Sequence, residues 1–180
     1  NQSIARDAKE IVIWRKRIQP YPLREIKLPF SCFLKLHAAY DIREINAALR
    51  QNSLKTPGQT GVGVLHNSEL KVYAHLVTFR KVEKDFTPTT LYKDYPISLV
   101  QLHWESQSTA TQSTPTGQNY IHFKKRGYTI LFFARLEKQI DGVAAPFVYL
   151  GPTSQLLSYE GNRPIRMVWE LEYPMPAALF

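Results

Sequence analysis

The sequence predicts an α+β fold that is mainly β: an antiparallel, partly closed, β-barrel-like sheet with helices at its N-terminal end. Two observations carry this prediction. Seven or eight short runs with strand character follow one another from about residue 56 onward, without the intervening helices that join parallel strands. Helical periodicity is instead found in the first 50 residues.

Residues 1–30 are predicted to be a basic helix or linker that follows an upstream region. Apolar residues recur at helical spacing between Ile4 and Val12, and prolines at positions 20 and 22 end the pattern. The basic cluster at residues 15–17 is of a kind that contacts phosphate or belongs to a linker, and we favour the linker. A single β-rich recognition domain is then expected over residues 31–180.

A second helical signal opens this domain. Asp41 followed by Glu44 is the pattern of a capping box, and the residues after it place apolar side chains on one helix face. Residues 31–38 are interpreted as a preceding helix. Helix pairs of this kind occur in helix-turn-helix units, but the second helix offers few side chains to a DNA groove. We therefore expect the pair to pack against the sheet.

The β signal begins near Thr56. A run ending at the turn-forming Asn67-Ser68 and the alternating run after it predict a hairpin, and residues 128–136 are apolar enough for a central strand. A turn follows at residues 140–142. The other predicted strands are residues 97–104, 119–125, 146–151, 155–161 and 164–173, the last with Ile165, Met167, Trp169 and Leu171 on one face. Residues 106–118, rich in Ser, Thr and Gln, are interpreted as a mobile loop.

Composition narrows the class of protein. The 180 residues carry a net charge of +8 and contain 10 Tyr and 9 Phe, a combination that points to an anionic partner and to nucleic acid first. No apolar run reaches membrane-spanning length, so no membrane partner is expected. The single cysteine, Cys32, excludes an internal disulfide and a Cys-based zinc site, and indicates a reducing, cytoplasmic setting.

Catalytic patterns are weak. Glu69-Leu70-Lys71, with Asp41 upstream, matches part of a metal-dependent nuclease motif, but so short a match occurs by chance in many basic proteins. Three histidines fall on predicted strands without a recognisable ligand spacing. We therefore predict no catalytic residue, no metal and no cofactor, and expect that the domain is not an enzyme.

Binding chemistry concentrates between Lys81 and Gly127, where a polar stretch studded with aromatic residues lies between strand-like runs. The basic side chains at its flanks are of the kind that neutralises phosphates. Its aromatic and amide side chains are of the kinds that stack on a base or form hydrogen bonds with its edge. The predicted DNA-backbone contacts are Arg80, Lys84, Lys93, Lys124, Lys125 and Arg126. The residues predicted to recognise a base or a modification are Phe86, Thr89, Thr90, Tyr95, Pro96, His103, Trp104, Ser106, Gln107, Gln118, Asn119 and Tyr120.

Several motifs carry a resemblance to a known family: EKDFTPTTLYKDYPIS, LHWESQS, TPTGQNYI, PFVYLGP, EGNRPI and PMPAALF. Over roughly residues 40–180 the sequence resembles a domain of unknown function found at the C-terminus of bacterial fusions of a phospholipase-D-like nuclease with a superfamily 2 helicase. The resemblance implies attached helicase and nuclease domains and a role in restriction or phage defence. The catalytic motifs of those partner domains are absent from this sequence. PFVYLGP and the final strand are also similar to the closing strands of modified-DNA readers in restriction enzymes, a fold-level analogy.

The functional expectation is a DNA-binding specificity module of a bacterial restriction or defence protein. It would bind double-stranded DNA that carries either a modified base, held against Trp104 or Tyr95, or a phosphorothioate linkage placed against the apolar wall of Tyr95-Pro96. Two alternatives stay open. One is a protein-interaction or autoinhibitory domain that regulates an attached helicase-nuclease, and the other is a metal-dependent nuclease that uses Asp41, Glu69 and Lys71.

Overall fold

The computed structural model describes residues 23–50, 63–80 and 93–180, and its centre is an eight-stranded sheet that curls into an open half-barrel. Two short α-helices, α1 (Ile42–Ala48) and α2 (Pro115–Ile121), and a 3-10 helix (Ala177–Leu179) are found in these residues. The strands are β1 (Arg24–Glu25), β2 (Lys35–Leu36), β3 (Ala39–Tyr40), β4 (Val64–Asn67), β5 (Val72–Thr78), β6 (Tyr95–Pro96), β7 (Gln101–Glu105), β8 (Thr129–Arg135), β9 (Gln139–Ile140), β10 (Val143–Ala144), β11 (Phe147–Gly161) and β12 (Ile165–Leu171).

The sheet is mixed, which corrects the antiparallel prediction. Its order is β4-β5-β8-β11-β12-β7-β6, with β3 pairing beside β11, and β5 and β8 run parallel. The chain leaves β5 and builds β6, β7 and α2 before it returns as β8. So long a crossover allows the returning strand to run in the same direction, whereas sequence reasoning pairs neighbouring runs as hairpins. The predicted β4–β5 hairpin is confirmed.

The central strands are buried on both faces, which explains their continuous apolar sequences. On β8, Ile130 and Phe132 enter a core on the concave side of the sheet, and Leu131 and Phe133 enter a second core on the convex side. Helix α2 packs into the concave core, and α1 packs over the convex one. The prediction of a central strand in residues 128–136 is confirmed.

Helix α1 begins as predicted. The Asp41 carboxylate accepts hydrogen bonds from the backbone N–H groups of Arg43 and Glu44, and the Glu44 carboxylate accepts from the Asp41 N–H, which is a complete capping box. The helix predicted for residues 31–38 is wrong, because β2 lies there. Buried Leu34, Leu36 and Ala38 alternate with more exposed neighbours, which is the two-residue period of a strand.

The segment predicted to be a mobile loop followed by a strand is instead an ordered turn followed by α2. Thr114 is the N-cap residue, and its hydroxyl accepts a hydrogen bond from the Gly117 N–H at 3.2 Å. Pro115 occupies the first turn, where its missing N–H costs nothing. The Thr-Pro pair was a helix-start signal within a stretch whose composition favoured a loop.

One long strand replaces two predicted ones. Strand β11 pairs with β8 through its first half and with β12 through its second, and register shifts between Tyr149 and Gly151 and beyond Thr153 bend it between the two. Strand β12 buries Ile165, Met167, Trp169 and Leu171 on one face as predicted. None of the helices in the described residues has the length and apolar character needed to cross a membrane.

Residues 24–28 pack with the domain. Strand β1 pairs with β2, and Ile26 and Leu28 contact the convex core. Residues 1–22 of the basic helix or linker predicted for residues 1–30 lie outside the described residues.

Candidate functional site

Four of the side chains predicted to read a base are buried. Trp104 is 3% exposed and Tyr120 has no exposed surface, and both belong to the concave core. Ser106 and Asn119 are also buried. The structure therefore places Trp104 and Tyr120 in the core, and the Trp104 indole has no open face on which a base stacks.

Trp104 belongs to an aromatic box around a buried histidine. The His75 ring stacks on the Trp104 indole at a centroid distance of 3.9 Å and meets Tyr120, Phe132 and Trp169 edge-on. Burial lowers the pKa of His75 to about 3, so its ring is neutral at physiological pH. Neither His75 nitrogen has a hydrogen-bond partner among the described residues.

Ser106 anchors the polar loop, which we define as residues 106–114. Its hydroxyl donates to the carbonyl of Ala110 and accepts from the N–H of Ile165, at 3.1 and 2.9 Å. The Gln107 side-chain carbonyl accepts from the Tyr120 hydroxyl. These bonds fix the start of the loop to the core and to α2, so its outer residues are displayed on a rigid support.

The far side of the polar loop is tied to the tip of the β11–β12 hairpin. The Gln112 N–H donates to the Asn162 side chain at 2.9 Å, and the Gln112 amide donates to the carbonyl of Gly161 at 2.6 Å. The Gln118 amide donates to the carbonyl of Gln112 from within α2. Among the loop residues, Ser108, Thr109 and Ser113 are exposed to solvent.

A cluster of positive charge lies at the other end of α2. Lys124, Lys125 and Arg126 are all exposed in the turns that follow the helix. Lys71, at the start of β5, joins them because β5 and β8 are parallel neighbours, and its ammonium group lies beside Gly127. We call Lys71, Lys124, Lys125 and Arg126 the basic cluster.

Asn119 connects the basic cluster to the core. The Arg126 guanidinium donates to the Asn119 side-chain carbonyl at 3.1 Å, and the Asn119 amide donates to the Tyr73 hydroxyl at 3.0 Å. The His66 ring stacks on Tyr73 at 4.1 Å, and burial lowers the His66 pKa, which favours its neutral form. The structure therefore brings together two of the predicted residues, Asn119 and Arg126, and places an aromatic stack beside them.

The polar loop and the basic cluster lie at the two ends of α2. The seven residues of this helix separate the two ends by about 10 Å. Lysine and arginine at one end and hydroxyl groups at the other are the side chains that bind phosphates and base edges.

Other predicted residues lie elsewhere. Arg80 is at the opposite end of β5 from Lys71, about 30 Å away for nine extended residues, and it pairs with Glu137 at 3.7 Å. Lys93, Tyr95, Pro96 and His103 lie at the β6–β7 edge of the sheet, where the Tyr95 and His103 rings stack at 4.6 Å. Lys84, Phe86, Thr89 and Thr90 lie outside the described residues.

Asp41 and Glu69, two of the residues assigned to the nuclease alternative, take part in local hydrogen bonds that shape a helix end and a turn. The Asp41 carboxylate caps α1, and the Asn67 side chain accepts hydrogen bonds from the N–H groups of Glu69 and Leu70 to form the turn that precedes Lys71. Within the described part of the chain, no three His, Cys, Asp or Glu side chains are grouped to hold a metal ion.

Two comparisons with known proteins bear on this site. The model of a family described as a domain of unknown function (DUF3427) matches residues 34–180, a range that includes the polar loop, α2 and the basic cluster. A comparison with curated proteins yields no match.

Proposed function

We propose that this chain, which belongs to the DUF3427 family of domains of unknown function, binds DNA along α2. The basic cluster binds phosphates of the DNA backbone, and the polar loop contacts the adjoining nucleotide and recognises its chemistry. The observation that supports this most is the clustering of four exposed cations beside an ordered, hydroxyl-bearing loop. Both elements are fixed to one core, and a rigid scaffold that displays polar loops is a common design for recognition.

The finer proposal is a specificity module of a bacterial restriction or phage-defence protein that acts beside attached helicase and nuclease domains. The resemblance of the sequence motifs to the C-terminal domain of such fusions supports this context. The feature that is read would be a modified base or a phosphorothioate linkage. Because Trp104 and Tyr120 are buried, the reading groups are assigned to the exposed loop side chains Ser108, Thr109 and Ser113.

A competition panel tests the proposal. One duplex would be offered unmodified, with methylated or hydroxymethylated cytosine, with methylated adenine and with a phosphorothioate linkage, all at one near-physiological salt concentration. A preference of tenfold or more, about 1.4 kcal/mol, for one duplex is expected of a reader. Uniform weak binding would indicate that the domain binds DNA without discriminating between modifications. If the domain binds none of the duplexes, the proposal is overturned.

Lys125→Ala should weaken binding to all duplexes alike. Losing one phosphate contact should lower the magnitude of the slope of log K against log salt by about 0.9, measured by titrations between low and physiological salt. Arg80→Ala is the matched control, since it removes one positive charge at the opposite end of β5 from Lys71, about 30 Å from that member of the basic cluster. If the two variants lower affinity equally, the effect is one of net charge and the basic cluster has no special role.

Asn119→Ala should weaken DNA binding through Arg126. Its side chain holds the guanidinium, so its loss should cost less affinity than Arg126→Ala and should add little in an Arg126→Ala background. A double-mutant cycle on one duplex measures this coupling. Additive effects of the two substitutions would show that Asn119 does not position Arg126. Thermal unfolding of each variant separates this effect from a loss of fold.

A further inference from the structure

The convex face of the half-barrel is covered over only part of its area. Over β5, β8 and the first half of β11 it is packed under α1 and the segment that contains β1 to β3. Over β12, β7, β6 and the second half of β11, its side chains are partly or fully exposed. We call this second area the open face.

Three cross-strand rows make up the open face. The middle row is Tyr95, His103, Val168 and Ser158, and Tyr95 is 48% exposed. The rows on either side are Glu105, Arg166 and Glu160, and Gln101, Glu170 and Gln155. At ordinary strand spacings, the face measures about 14 Å across the strands and about 13 Å along them.

The open face is acidic within a basic protein. It carries Glu105, Glu160 and Glu170, whereas Arg166 is paired with Glu160 at 3.2 Å. Hydrogen bonds from the side chains of Ser154 and Gln155, together with the nearby positive charge of Lys124, lower the pKa of Glu170, so this carboxylate stays ionised. The chain as a whole has a net charge of +8. A row that holds the partly exposed apolar side chains Tyr95 and Val168 between carboxylates is therefore suited to a basic, amphipathic segment and not to DNA phosphates.

The described chain begins beside this face. The Arg24 guanidinium lies 5.3 Å from the centre of the Tyr173 ring, two residues after β12 ends, and Ile26 approaches Gly151 on the same side. The preceding residues 1–22 hold five Lys or Arg against two Asp or Glu. Their apolar residues recur at helical spacing from Ile4 to Val12. A helix over residues 4–17 would be about 21 Å long, enough to cross the open face.

We propose that residues 1–22 of this chain dock on the open face. Their apolar side chains would lie over the row that contains Tyr95 and Val168, and the basic side chains of residues 15–17 would lie against the carboxylates of the face. This inference does not depend on DNA binding. It assigns to the acidic face a partner of matching charge and length that is already attached next to it.

Disulfide trapping in the full chain tests the docking. In a Cys32→Ser background, Ile11→Cys combined with Val168→Cys should oxidise within one chain at least tenfold faster than Ile11→Cys combined with Thr109→Cys, which lies on the polar loop. Adding Glu105→Lys and Glu160→Lys should slow the first pair towards the control. Formation of the disulfide is measured by the mobility of the non-reduced chain.

Three results would overturn the proposal: equal rates for the two cysteine pairs, a rate unchanged by the lysine substitutions, or dimers whose formation depends on protein concentration. The last result would assign the face to a second copy of the chain. Circular dichroism of each variant confirms that it is folded before oxidation. Because these rates are measured without DNA, they also distinguish a failure of this inference from a failure of the proposed DNA binding.

Discussion

Trp104→Ala is expected to lower the free energy of unfolding by roughly 3–5 kcal/mol. The indole is 3% exposed, stacks on His75 at 3.9 Å and meets Tyr120 edge-on at 5.3 Å. Its strand lies in the middle of the β12–β7–β6 part of the sheet, with Trp104 opposite Met167. Truncation leaves a cavity that this close-packed box of rings cannot fill, so the loss includes both burial and packing energy.

Urea unfolding monitored by circular dichroism measures the loss, and Tyr95→Ala supplies the control. Tyr95 is also an aromatic residue predicted to recognise the ligand, but it is 48% exposed on the adjacent edge strand. Its truncation should cost about 1 kcal/mol or less. A Trp104→Ala variant with near wild-type stability and reduced discrimination between modified and unmodified DNA would contradict the structural role and return Trp104 to the recognition surface.

The burial of Trp104 was readable from the sequence. Residues 97–104 were predicted to form a strand, and a period of two places Trp104 on the same face as Leu102 and opposite to Gln101 and His103. The polar neighbourhood of the His-Trp pair favoured an exposed interpretation instead. The two-residue period of the strand is consistent with the buried face that the structure shows, whereas the composition of the wider segment favoured exposure.

Order in the polar loop was less accessible to sequence reasoning. Gln112 binds residues 161 and 162, about fifty positions later in the chain. Such contacts depend on the arrangement of the strands, and no local pattern contains them. The Thr114-Pro115 helix start was visible, but the bonds that hold the loop against the hairpin were not.

The sequence predicted the basic cluster only in part, again because one of its contacts depends on the arrangement of the strands. Lys124, Lys125 and Arg126 are consecutive, so the sequence alone groups them. Lys71 joins them through the parallel pairing of β5 with β8, which the sequence did not predict. The capping box and the buried face of β12 were predicted correctly because each depends only on residues within one element.

The protein should lose stability as the pH falls through the range in which an unfolded histidine becomes protonated. The His75 pKa is about 3 in the folded state, because the ring is buried among apolar groups, and 6.5 is its ordinary value. Between these values the unfolded state binds a proton that the folded state does not. The contribution of His75 to stability is therefore complete above pH 6.5 and is lost progressively towards pH 3.

From pH 7 to pH 4.5 this loss should amount to roughly 2–3 kcal/mol. The rings that face His75 belong to Trp104, Tyr120, Phe132 and Trp169, and none of them titrates in this range, since burial raises the Tyr120 pKa further above its ordinary value. The pH dependence of the box therefore comes from the imidazole itself.

His75→Phe isolates this effect, because it keeps a flat ring in the aromatic box and removes the titrating group. Carboxylates elsewhere titrate in both proteins, so the difference between their urea-unfolding free energies at each pH reports His75 alone. At pH 7 the variant should be at least as stable as the wild type, since the two imidazole nitrogens lack partners in the described structure. His75→Leu serves as a second variant if the larger ring overpacks the box. Parallel pH profiles for the wild type and both variants would show that His75 is protonated as readily in the folded state as in the unfolded chain, which is incompatible with its burial.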